Sequence, residues 1–81
     1  MTDNELRDFY KNMDYEPIMY DLEEFLDARQ NYLKDKSGDN LLVLQIACDK
    51  IYTSTKSLWV NRAISENTFW MLKDELMNIN R

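Results

Sequence analysis

The sequence predicts an all-α fold, a small up-down helical bundle, and three observations carry that prediction. Apolar residues recur at helical spacing along most of the 81 residues. The chain holds one Gly and one Pro, too few for the tight turns of a sandwich or barrel. Helix start signals stand in front of the periodic segments. The expectation is one domain over residues 1–81, with three long helices near 17–36, 40–60 and 66–79 and a short N-terminal helix near 4–13.

The first helix rests on Leu6, Phe9, Tyr10 and Met13, spaced i, i+3, i+4 and i+7 on one face. Thr2 followed by Glu5 is a capping-box pair, in which each side chain satisfies an orphan backbone N–H. Pro17 disfavours helical geometry at Glu16 and breaks the helix near Asp14. It also suits the first turn of a second helix, where its missing N–H is not needed. Ile18, Leu22, Phe25, Leu26, Arg29 and Leu33 form that helix's inward stripe, with the Arg29 stem laid along it. Gly38 is expected to end the helix as a left-handed cap.

Asp39 or Asn40 is the expected N-cap of the third helix. Leu41, Leu44, Ala47, Cys48, Ile51, Thr55, Leu58 and Trp59 share its inner face. Leu42, Val43 and Ile46 stand on the other side, so its first half is apolar nearly all round, the pattern of a helix covered on more than one side. Ser65 caps the fourth helix, with Ile64 and Phe69 at the positions of a hydrophobic staple. Phe69, Leu72, Leu76 and Ile79 make its core stripe, and Trp70 and Met77 lie to one side. Short loops make sequential helices antiparallel neighbours. Helices two to four form the core, and the first closes one side.

Composition removes several function classes. The chain has no His, hence no imidazole base, ligand or Ser-His pair. Cys48 falls on a packed face and reads as a small core residue. One Gly cannot build a phosphate loop. The run DKSGDN resembles the start of a calcium loop, but its Gly is misplaced and Ile46 stands where a bidentate Glu is needed. A dinuclear carboxylate site lacks its Glu-x-x-His pairs. A bundle this small has little volume for a sugar cleft between two acids. The expectation is a non-enzymatic protein with no cofactor and no metal.

No apolar stretch, Leu41–Leu44 included, exceeds four residues, far shorter than a membrane span. The acidic N-terminus, MTDNELRD, has no apolar core and does not read as a secretory signal. With a single cysteine, these features point to the cytoplasm. Abundant Asn, Lys, Ile and Tyr match an AT-rich coding sequence of the kind common in phages and some bacteria.

The net charge of −5 is lopsided: residues 1–27 carry nine acids and two bases. That balance repels phosphate, and the thin basic edge of Lys50, Lys56 and Arg62 lies in no helix-turn-helix, so nucleic acid is a poor partner. A basic protein surface is the better match.

The run DYEPIMYDLEEFLD has six acids in fourteen residues and no base. On a helix, Tyr20, Glu24, Asp27 and Asn31 follow i, i+4, i+7 and i+11 opposite the core stripe, with Glu23 beside them. Routine solvation of an outer face explains such a line, but solvated faces usually mix signs. The first helix is too short to mask both Trp70 with Met77 and the Leu42, Val43, Ile46 patch, although packing of Phe9 and Tyr10 on Trp70 and Met77 would explain that pair. The expected function is a small interaction protein, an inhibitor, adaptor or modulator docking on a larger protein with a basic patch. Tyr20, Glu23, Glu24, Asp27, Asn31, Trp70 and Met77 are its expected contacts. The alternative is a homo-oligomeric assembly protein whose seam is Leu42, Val43 and Ile46, or Trp70 and Met77.

Overall fold

The computed structural model of the chain describes residues 1–13 and 15–78. It contains four helices: α1 (Asp3–Lys11), α2 (Pro17–Lys34), α3 (Gly38–Val60) and α4 (Glu66–Met77). Asp14, expected at the end of α1, and Ile79, expected in the α4 stripe, lie outside the described residues.

Cross-helix contacts set the topology. Asp3 meets Arg29 and Arg7 meets Glu23, so α1 runs antiparallel to α2. Ser54 donates to Asp21 and Lys50 to Glu24, which orders α2 against α3. Trp59 stacks on Phe69, while the Cys48 thiol points at the Leu76 carbonyl, making α3 and α4 antiparallel. The Met1 ammonium pairs with Glu75 at 2.9 Å, and Phe9 and Met13 share a hollow with Ile64 and Thr68. α1 therefore lies along α2 and reaches toward α4 through the Met1 ammonium and side chains, with no close backbone approach between α1 and α4 among the described residues.

The inward stripes behave as their spacing predicts. Leu6, Tyr10, Ile18, Leu22, Phe25, Leu26, Leu44, Ala47, Ile51, Leu58, Phe69, Leu72 and Leu76 are buried, and Phe9, Met13 and Ile64 pack at the margin. Thr55 is buried as well. Its hydroxyl donates to the Ile51 carbonyl at 2.7 Å and accepts from the Tyr10 hydroxyl at 2.8 Å, so this polar pair between α1 and α3 is satisfied. Burial, only partly offset by this bond, pushes the Tyr10 phenol up to about 12.

The helix ends both follow and correct the sequence reading. Thr2 and Glu5 form the capping box, and Ser65 caps α4 through the Thr68 N–H. Between α2 and α3 the expectation fails. Gly38 does not adopt a left-handed cap; it is the first residue of α3, and Ser37 is the N-cap, its hydroxyl accepting from the Asn40 N–H. α2 ends two residues earlier than expected because the Asn40 side-chain amide donates to the Asp35 carbonyl at 2.8 Å. A side chain from the next helix thus takes over the role expected of Gly38. The left-handed residue is Arg62, at φ 62°, after α3. There the Ala63 N–H reaches the Leu58 carbonyl and the Arg62 N–H the Trp59 carbonyl, the two bonds of a Schellman motif.

Candidate functional site

The outer face of α2 carries the acidic line. Tyr20 is 81% exposed, and Glu24, Asp27 and Asn31 follow it in the open. The structure brings to this line the positive charges that the local sequence lacks. Arg7 from α1 binds Glu23 with its Nε, and Lys50 from α3 meets Glu24 at 3.0 Å. Both pairs are largely solvated and contribute little to stability. They offset two of the face's carboxylates; Asp21 turns to the Ser54 hydroxyl, and Glu16 and Asp27 remain as outer-face carboxylates with no ion pair among the described residues. Tyr20 stands between these two, beside a shallow hollow lined by Lys11, Glu16 and Met19.

One further ion pair fixes α1 under this line. The Arg29 guanidinium is buried over the Phe25 ring and donates through Nη2 to Asp3, which also accepts from the Gln30 amide at 3.0 Å. Burial works against the Asp3 charge, but these two donors prevail and hold its carboxyl below the ordinary range. Arg29 Nη1 has no partner among the described residues.

On α4, Trp70 and Met77 are 46% and 45% exposed. The packing of Phe9 and Tyr10 on them is not observed: Tyr10 points inward to Thr55, and Phe9 turns to Ile64. Trp70 instead sits edge-on to Phe69 at 5.4 Å, with Lys73 Nζ 4.8 Å over its ring and its Nε1–H donating to Glu66. The indole is thus held in place while part of its surface stays open.

The outer face of α3 is the third surface. Leu42, Val43 and Ile46 are 57%, 54% and 49% exposed. The expectation that this helix is covered on more than one side is not met within one chain, because α2 and α4 both flank its inner half. The same outer face carries Asp39 four residues before Val43 and Lys50 four residues after Ile46, both exposed. The sequence reading treats Asp39 only as a cap and Lys50 only as part of a basic edge. Their common line with Val43 and Ile46 is legible from spacing alone.

Cys48 is buried, and burial followed by the nearby Asp49 carboxylate raises its thiol pKa, which suppresses the reactive thiolate. Among the described residues no three His, Cys, Asp or Glu side chains come together in a way that could hold a metal ion. No helix there is long and apolar enough to cross a membrane. Compared with known proteins, the chain matches no family model, no curated protein and no solved structure.

Proposed function

We propose that this is a non-enzymatic interaction protein of the cytoplasm, an inhibitor, adaptor or modulator, that docks on the basic surface of a larger protein. The observation that carries the proposal is Tyr20, almost fully solvated on a rigid helix and flanked by the carboxylates of Glu16 and Asp27. A tyrosine supplies wide contact area at low entropic cost, and surrounding acids steer a cationic partner toward it. Glu23 and Glu24 belong to the same surface and can exchange Arg7 and Lys50 for cations of the partner. Trp70 and Met77 provide a second, apolar contact on a different helix. An acidic face of this kind fits proteins that occupy the nucleic-acid or partner groove of a cationic target, a role suited to a phage or mobile element.

The test is capture of partners from the native host at about 50 mM and about 500 mM salt, a range over which exposed charges become screened. Wild type is compared with the E23K/E24K/D27K triple variant. A basic protein retained by wild type at low salt, and lost by the triple variant and at high salt, is the expected result. Retention unaffected by either change removes the acidic face from the interface and transfers binding to Trp70 and Met77.

A further inference from the structure

We infer that the outer face of α3 is a two-fold seam at which a second copy of this chain packs antiparallel. The inference does not depend on the docking role of α2. It rests on the order of four exposed residues, Asp39, Val43, Ile46 and Lys50. They follow i, i+4, i+7 and i+11, a single line over roughly 16 Å of helix. The spacing, four-three-four, reads the same from either end.

Chemistry along the line is acid, apolar, apolar, base. In an isologous pair, residue i of one subunit meets residue j of the other, and j meets i. An antiparallel two-fold that places Val43 against Ile46 of the partner subunit therefore places Asp39 against Lys50 of the partner subunit at both ends. Two aliphatic contacts lie at the centre and two opposite-charge pairs at the rim, the usual anatomy of an interface. Leu42, equally exposed, flanks the centre. Lys50 is half-exposed at its bond to Glu24, so its ammonium is placed to serve both carboxylates.

The charge distribution favours the same occupant. Residues 1–36 carry ten acids and five bases, whereas residues 37–81 carry five of each. Two copies meeting through α3 join their neutral halves, and the acidic halves stay apart. A foreign basic protein would meet Lys50 on this line, and a foreign acidic one would meet Asp39. A second copy alone presents each charge with its opposite by symmetry. The seam's five exposed residues, Asp39, Leu42, Val43, Ile46 and Lys50, are far fewer than the roughly 20–30 a side of a standard interface, so the dimer belongs to the weak class, with dissociation on the order of tens of micromolar.

Sedimentation velocity from about 1 µM to 1 mM of the full chain tests the seam. Wild type is expected to pass from monomer to dimer across that range. D39K and K50D each set like charges at both ends and are expected to weaken the dimer roughly tenfold or more. The double variant D39K/K50D restores opposite charges in reversed order and is expected to return to within about threefold of wild type. All four positions are solvated, and far-ultraviolet circular dichroism checks that each variant folds. A wild type monomeric throughout, or a double variant no better than the singles, overturns the proposal. So does a dimer that ignores these charges and is lost with W70A, which would place the second copy on α4.

Discussion

Tyr20, Glu24, Asp27 and Asn31 on α2 and Asp39, Val43, Ile46 and Lys50 on α3 occupy the same geometric positions on two neighbouring helices. Both are four-three-four lines of exposed residues facing away from a shared core. Their chemistry gives them opposite social behaviour. Two α2 lines brought together antiparallel would set Glu24 against Asp27 twice over, four carboxylates in one place. The α3 line does the reverse, matching acid to base at each end. Periodicity thus fixes where a surface lies, and the order of charges along it decides whether it meets itself or a stranger.

The largest expected effect comes from converting one line into the other kind. V43E/I46E gives α3 an acidic centre like that of α2. Self-association is expected to fall about a hundredfold or more, beyond detection at 1 mM, because apolar contact is replaced by like charge. Both side chains are exposed, so the urea midpoint is expected to stay close to that of wild type. A dimer that survives this double change would show that the α3 line does not face a second copy.

The next effect concerns what holds the α2 line in place. Asp3 neutralises the buried Arg29 and docks α1, which in turn supplies Arg7 to Glu23. D3A leaves a buried guanidinium without its carboxylate and is expected to cost about 2 kcal/mol in urea unfolding. The pairing also has a pH signature. The Asp3 pKa in the folded state lies below its ordinary 3.8, so the stabilisation is complete above about pH 4 and is lost as pH falls through the folded value. In D3N the fall of stability on the acid side should be shallower; an unchanged acid limb would mean that other carboxylates dominate it.

Much of the bundle was legible in the sequence, because burial follows the apolar spacing. Every inward residue named for α1 and α2 except Leu33, which is half-buried, is buried or packs at the margin, and Thr2 and Ser65 cap as their positions predict. The α2–α3 corner was not legible, since the Asn40 amide that closes α2 acts from the next helix and local residue preference favoured Gly38. Arg62 illustrates the same limit: a non-glycine residue is held at positive φ by the two Schellman bonds that follow α3. For the candidate surfaces, spacing placed Tyr20 and Asp27 in the open, where they are found, whereas the all-round apolar pattern of Leu42, Val43 and Ile46 read as a covered helix and the three are exposed. It misjudged how acidic the α2 line is, because Arg7 and Lys50 reach it from α1 and α3 and lie outside the run.

That borrowing leads to a smaller effect. R7Q removes the cation from Glu23 without touching α3. Association with a basic partner is expected to quicken about twofold, with steeper salt dependence, while stability shifts by less than about 1 kcal/mol. No change in rate would mean that Glu23 stays outside the encounter surface.

A last effect, of similar size, sharpens the comparison most, because Lys50 belongs to both lines. Its ammonium lies 3.0 Å from Glu24, and it is also the basic end of the α3 seam. K50Q is therefore expected to act with opposite signs at the two surfaces. It deprives the partner subunit's Asp39 of its cation, which should weaken the dimer about threefold. It also frees Glu24, which should strengthen binding of a basic protein by about the same factor. Loss of a structural residue would lower both together, and a bystander would change neither. Measured side by side, by sedimentation and by binding to the captured partner at low salt, the two shifts show whether one lysine is shared between a face that pairs with its own kind and a face that seeks another protein.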